Sequence, residues 1–324
     1  MKVSVLMITY NHEKFIAQAI NSILMQQTDF DYEIIVGDDF SKDRTRAILD
    51  SYKKKHPSKI RLLFPDRNLG MHRNFIQTLN SCQGQYVAIL EGDDYWTSPY
   101  KLQKQVDFLD KEPSYSTCFH KASVISQDTG EEILVLPPKD YQKATLTIDD
   151  LLLINFMATA SVMFRRGLFH GFPDWTYNLS MLDWVLHILN SEHGNIGYID
   201  ESMSVYRIHS AGVWSSKSPV QQILTKLDFY NHLITYLDKS KKKVVERNML
   251  NAYRDLMIVI LTNDVVGNSK KYATIFLWKT LLAMNFKLFV KDIFLVTKVY
   301  FPIFYHISRY LRILTRNNIS LSKF

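Results

Sequence analysis

The 324-residue chain has only two cysteines, Cys82 and Cys118, without CxxC spacing. That excludes a disulfide framework and points to ordinary buried thiols of a reducing compartment. Long apolar runs are also missing. The longest uncharged stretch, Leu151 to Phe164, falls short of the ~18–20 residues a bilayer-spanning helix requires and reads as a core segment. The opening MKVSVLMITYNHEKF sets one lysine before a short apolar run, so a first strand is expected there and not a signal peptide. These absences together predict a cytoplasmic protein. Charge of one sign is scarce too: 39 basic against 32 acidic residues give +7, too little to imply a nucleic-acid partner. There is no internal repeat and no low-complexity linker.

What is present suits a large α/β domain with an extension, or two ordinary domains. Apolar residues make up 47% of the chain, ample for a core. The first half alternates strand-like runs (3–8, 32–39, 60–64, 86–90) with helical periodicity. Asn11 is a plausible cap for the first helix, and Ser41 or Asp43 for the second. Ser98 and Pro99 start a helix running to about Glu112. Further strands are expected near 116–125, 131–136, 159–164 and 196–207, with helices near 147–154 and 180–192. Beyond about Ser218 the pattern turns helical and basic, with KSKKK at 239–243. The expected organisation is one α/β domain over 1–215 and a helical region over 216–324. Buried strands each followed by a helix predict a mostly parallel sheet with helices on both faces, whose ligands bind beyond the carboxyl ends of the strands.

Acids gather at those ends. YVAILEGDDYW stops a buried run at Glu91, Asp93 and Asp94, and such crowding calls for a cation, a basic side chain or water among them. Carboxylates opening onto a loop suit a hard divalent ion that could clamp a diphosphate; a solvated capping cluster is the plain alternative. Asp38 and Asp39 close the second strand. A carboxylate at Asp39 can accept the N3–H of uracil, or DDFSKDRT is simply a turn. Asp183, beside Trp184, opens an apolar helix and can serve as a general base or merely as a first-turn acid. Arg207 and His209 alternate on one strand face, where Arg can hold phosphate and His a metal, or both can face water. The polar loop 67–74, containing Arg73, is either ligand-facing or a connection.

The order VSVLMITYN, IIVGDDFSKDRT, NLGMHRN, YVAILEGDDYW, MLDW, YRIHSAGVWS resembles the family-2 inverting glycosyltransferases of the GT-A fold, over about residues 1–215. The resemblance implies that Thr9, Tyr10 and Asn11 lie against the nucleotide and that Asp39 contacts uracil. It implies Asp93 as the main metal ligand, Glu91 near the ribose or metal, and Asp94 as a supporting acid. Asp183 falls at the base, His209 at the metal or diphosphate, and Arg207 nearby. This sequence has Glu91 where aspartate is more usual, and Leu182 where an acid often precedes the base. The implied partners are a UDP-sugar donor, Mn²⁺ or Mg²⁺, and a saccharide acceptor; a lipid-linked saccharide acceptor, as in bacterial cell-surface polysaccharide assembly, follows if the C-terminal helices meet a membrane surface. A nucleotidyltransferase would usually show a Gly- and Lys-rich loop where TYNHEKF stands. A non-catalytic nucleotide-binding scaffold would tolerate loss of Asp183.

Between Asn285 and Arg312, Lys287, Lys291, Lys298, Arg309 and Arg312 share a narrow stripe opposite a wide apolar face, with Pro302 interrupting the helix. Such a helix can lie at the inner face of the cytoplasmic membrane, pack on the catalytic domain, or form a dimer contact.

Overall fold

The computed structural model of the chain describes residues 1–262. The chain divides into two compact units, residues 1–216 and the part from Lys217 onward.

In the first unit, β1 (Val3–Thr9) is apolar on both faces because both are covered. It pairs in parallel with β2 (Tyr32–Asp38) and β4 (Tyr86–Ile89), and β3 (Ile60–Leu63) pairs in parallel with β2. The sheet continues through β9 (Met163–Arg165), β6 (Tyr115–Ser126), β10 (Asn195–Ile208) and β5 (Tyr95–Trp96), in the order β3-β2-β1-β4-β9-β6-β10-β5. β6 and β10 are parallel, whereas β9 opposes both its neighbours and β5 opposes β10. Short additions, β7 (Glu132–Leu136) on β6 and β8 (Thr145–Leu146) on β10, complete it. The expected mostly parallel α/β sheet is therefore present.

Period-two alternation sends Val3, Val5, Met7, Ile34, Val36 and Ala88 to one face. There they meet α1 (Ile16–Leu24), whose Ile16, Ala19, Ile20 and Ile23 recur at helical spacing. Leu49 of α2 (Thr45–Lys55) and Leu102, Val106 and Leu109 of α4 (Lys101–Lys111) join them. Each Val, Ile, Leu or Met among them contributes about 1.5–3 kcal/mol through burial. On the opposite face, α3 (Met71–Ser81) approaches β2 closely enough for Asn74 Nδ2 to donate to the Gly37 carbonyl at 2.8 Å. A β-carbon at Gly37 would lie 2.0 Å from Thr78 Oγ1, so only glycine permits that approach. Later in the chain, α5 (Ile148–Leu153) starts at a Thr147–Asp150 capping box, and α6 (Leu182–Ser191) is tied to it by Trp184 Nε1 donating to the Leu151 carbonyl at 2.9 Å.

Some local expectations differ. Asn11 does not cap α1, which starts four residues later than that cap implies, with no side-chain cap at Phe15. Asn11 instead takes a positive φ of 56°, and its Oδ1 accepts the Lys42 N–H at 2.8 Å, because the loop is pinned to the β2–α2 turn. The strand expected from 159 begins as a 3₁₀ turn, Thr159–Ser161, and only Met163–Arg165 pair. Ser98 lies ahead of α4, where its Oγ accepts the Tyr100 N–H. Cys82 and Cys118 are free and buried, and burial pushes both thiols up to about 12.

Lys101 is fully buried at the start of α4. Its Nζ lies 3.9 Å from the Trp96 ring centroid and has no hydrogen-bond partner. Burial pushes the ammonium down to about 7. Between that value and its ordinary value of about 10.4, the unfolded chain binds a proton that the folded chain does not, so this group makes stability rise with pH. Lys101→Met is expected to stabilise the fold by about 1–2 kcal/mol at pH 7 and to abolish that rise, as read from thermal melts at pH 7 and pH 9. A lower melting temperature at both pH values would show that the Trp96 contact outweighs the desolvation.

The second unit opens with α7 (Pro219–Tyr236), started by a Ser218–Gln221 capping box with Pro219 in the first turn. α8 (Lys239–Thr262) packs against it, with Leu227, Phe229, Leu233, Val245, Met249 and Leu256 buried. The lysines of KSKKK open α8, and the basic stripe expected over 285–312 lies outside the described residues. No helix among the described residues is long and apolar enough to cross a membrane.

Candidate active site

The acidic turn follows directly from how β4 ends. Leu90 N–H donates to the Leu6 carbonyl and Gly92 N–H to the Ile8 carbonyl, both at 3.0 Å, so the chain keeps following β1 past the last paired residue. At that distance a β-carbon on Gly92 would lie 2.6 Å from Thr9 Oγ1 and 3.0 Å from His12 Nδ1. The turn through Glu91–Asp94 then reverses into β5, beyond the carboxyl ends of β1 and β4.

β10 closes over this turn. Asp94 is buried and its Oδ1 accepts the Arg207 N–H at 2.9 Å. The Arg207 guanidinium reaches back: Nη1 donates to the Asp93 carbonyl at 2.8 Å and Nη2 to Gln18 Oε1. The rings of Phe15 and Tyr95 flank it at 5.1 and 4.5 Å, and 4% of the residue is exposed. Arg207 thus braces the turn instead of presenting an open phosphate fork. Two residues on, His209 Nε2 stands 3.1 Å from Asp93 Oδ2, and His12 Nε2 stands 3.7 Å from the same oxygen. Phe15 supports the His209 ring at 4.8 Å.

The electrostatics are those of a site short of positive charge. Burial, then the fields of Asp93 and Asp183, push the Glu91 carboxyl far above its usual range. Asp94 is raised by burial, then by Asp93 and Glu91. Asp93 alone is lowered: burial works against it, but the His209 hydrogen bond and the field of His12 prevail. Among the described residues no three acids, cysteines or histidines form a ready-made metal cage. The donor set nonetheless fits a divalent cation. An ionised carboxylate is paired with an imidazole, two more acids are destabilised by mutual repulsion, and Thr9 Oγ1 and His12 Nδ1 are buried without a hydrogen-bond partner.

Asp183 sits in the first turn of α6 within reach of this field. Burial raises its carboxyl, opposed by the Trp184 N–H and by Asn155, whose Nδ2 donates to Asp183 Oδ2 at 2.7 Å. Tyr206 of β10 is raised by burial and then by Glu91, Asp94, Asp93 and Asp183, so one side chain registers all four acids.

The first acidic pair stands at the end of β2. Asp38 is fully buried; its Oδ2 accepts from the Ser41 N–H at 3.0 Å and from Arg46 Nε, while Oδ1 has no hydrogen-bond partner. Asp39 Oδ1 accepts the Leu69 N–H at 2.6 Å, so this acid pins the polar loop before α3. Phe40, next in the chain, has a positive φ of 64°, a strained value for a ring-bearing residue. Tyr10 is 44% exposed beside them.

Two expected residues are not drawn in. Arg73 lies on the exposed face of α3 in a groove with Tyr177, and Trp184 is a buried strut. Three contributors escaped the sequence reading. His12 follows Thr9-Tyr10-Asn11 directly, and that placement was its signal. Asn155 is the lone amide of the Leu151–Phe164 apolar run, a polar residue where the core would prefer none. Gln18 carried no signal.

Comparison with known proteins bears on the family and the fold. An uncharacterized protein of Mycobacterium tuberculosis is 39% identical over 213 residues, 66% of this chain and 60% of its own length. The chain therefore spans about 60% of the mycobacterial relative it matches. TarS of Staphylococcus aureus, a poly(ribitol-phosphate) beta-N-acetylglucosaminyltransferase solved with UDP, superposes with a TM-score of 0.57 at 20% identity, over 78% of this chain and 72% of that one. A mannosyltransferase of Pyrobaculum calidifontis, solved with GDP-Man and Mn²⁺, gives 0.56 at 16% identity, over 93% and 88%. These likenesses establish the GT-A fold. The family model for glycosyl transferase family 2 matches residues 4–171, which carry both acidic strand ends, and the chain belongs to that family.

Proposed function

We propose that this chain is a metal-dependent, inverting glycosyltransferase that moves a sugar from a UDP-sugar to an acceptor hydroxyl in bacterial cell-surface polysaccharide assembly. The observation that carries the reading is the acidic turn beyond β1 and β4, where His209 Nε2 stands 3.1 Å from Asp93 Oδ2 and where Glu91 feels the fields of Asp93 and Asp183. A base beside a cation-type acid cluster supports glycosyl transfer. The UDP complex of TarS and the Mn²⁺ complex of the archaeal mannosyltransferase support the same reading by likeness.

Asp93 and His209 would hold the divalent ion, with Glu91 and Asp94 supporting. When bound, it offsets negative charge on the diphosphate leaving group. The chain's own residues do the rest. Thr9, Tyr10, Asn11 and Asp39 border the nucleotide, Asp38 fixes the turn beneath it, and Arg207 keeps Asp93 aimed. Asp183 takes the proton of the acceptor hydroxyl as that oxygen attacks the anomeric carbon opposite UDP, and the configuration inverts. The acceptor is a saccharide or a lipid-linked saccharide, and the work is done at the cytoplasmic side.

The test is calorimetric titration with UDP, CDP and GDP, with and without Mn²⁺, followed by a panel of UDP-glucose, UDP-galactose, UDP-N-acetylglucosamine and GDP-mannose assayed for nucleoside diphosphate release. Metal-dependent UDP binding is the expected outcome. A preference for GDP would move the donor class to GDP-sugars, and no binding at all would leave the acids a structural role.

A further inference from the structure

Asn155 presents an anomaly that the reaction above does not use. It lies just past α5, in an otherwise apolar run, and turns its amide to Asp183 at 2.7 Å. A carboxylate only accepts hydrogen bonds, so the amide orientation is dictated: Nδ2 faces Asp183 and Oδ1 faces away. That Oδ1 is buried and has no hydrogen-bond partner. The working contact of the amide is therefore the one at its other end, with Asp183.

Resting on the glycosyltransferase reading, we propose that Asn155 is the positioning residue of the base. Its amide fixes the rotamer of Asp183 and favours the ionised carboxylate that must accept the hydroxyl proton. Among the described residues, Asp183 otherwise accepts only from its own and the Trp184 backbone N–H groups, so a constraint from outside the helix must come from elsewhere. Asn155 comes from a different element and supplies that constraint. The neighbouring titratable groups are Glu91 on the acidic turn and Tyr206 on β10, both of which feel Asp183. The acids of α5 are spent elsewhere: Asp150 closes the capping box with Thr147, and Asp149 sits in the same first turn. Asn155 is thus the side chain that hydrogen-bonds the base.

The experiment uses the full chain and two variants, Asn155→Leu and Asn155→Asp, assayed for UDP release from whichever donor of the panel the wild-type protein turns over. For Asn155→Leu the expected result is kcat lowered about 10- to 100-fold, donor KM within about twofold of wild type, and a folded protein whose melting temperature falls by no more than a few degrees. The acidic limb of kcat/KM is expected to move up by about one pH unit, because the ionised base has lost a donor. Asn155→Asp places a second carboxylate against the base and is expected to move the limb further in the same direction. A Leu variant that melts markedly lower makes Asn155 a structural strut and overturns the proposal. So does either variant that folds and keeps both kcat and the wild-type limb. If the wild-type protein releases nucleotide from no donor, the glycosyltransferase reading fails first and takes this inference with it.

Discussion

Asp183→Asn is expected to lower sugar transfer about 10³-fold while leaving the fold and donor binding intact. General bases of this kind contribute about 10²–10⁴-fold, and the substitution removes the proton acceptor at constant shape. Burial already disfavours the charge, so a neutral amide at this position costs the fold nothing in desolvation. The measurements are kcat for UDP release, UDP affinity by calorimetry, and the melting temperature. Full activity in the variant would remove Asp183 from the chemistry and leave it as a first-turn helix acid. The wild-type pH profile bears on the same point. A base must be ionised to act, and burial raises this carboxyl above its ordinary value, so kcat/KM should fall with acidification at a pH above the usual aspartate range.

Asp93→Ala should have an effect of similar size through a different step. Asp93 is the acid the site keeps ionised, and its Oδ2 is the atom toward which both His209 and His12 point. Without it, Mn²⁺-dependent UDP binding is expected to disappear in calorimetry, and transfer to fall about 10³-fold, equivalent to about 4 kcal/mol. The variant relieves Glu91 and Asp94 of a repelling neighbour but also removes the stabilising contact with His209, so the melting temperature should change little. Undiminished metal-dependent UDP binding would mean that the cation contacts other groups. The two variants separate the halves of the site, since Asp183→Asn keeps the donor and Asp93→Ala loses it.

The strand ends were legible because two periodicities and one abrupt change of polarity wrote them locally. VSVLMI, YEIIVGDD and YVAIL read as buried strands, and the acids that terminate the last two had to face the carboxyl edge of the sheet. Arg207 was less legible. Its spacing from His209 gave one shared face, but its partners lie on α1, on β5 and in the acidic turn, and no local pattern brings Gln18, Phe15 and Tyr95 around it. Asn155 was half legible for the same reason: a lone amide in an apolar run stands out, but it acquires a meaning only when α6 is docked beside it. Asn11 misled because asparagine serves helix caps and positive-φ turns equally well, and a tertiary hydrogen bond to Lys42 decided between them.

The clasp of Arg207 on the acidic turn also orders events in time. Asp94 and Arg207 are 113 residues apart in the chain, so the bond that steadies the turn closes a very long loop. The acids stand early in the chain, and the bond to Arg207 can form only after β10 has been made. The sheet core of β1, β2 and β4 can condense from the first 90 residues, with helices close at hand. The brace on the acidic turn is instead a late product of folding, finished only when the second half of the domain arrives. On the proposed reading, a nascent chain would hold a formed core before it could hold a nucleotide sugar.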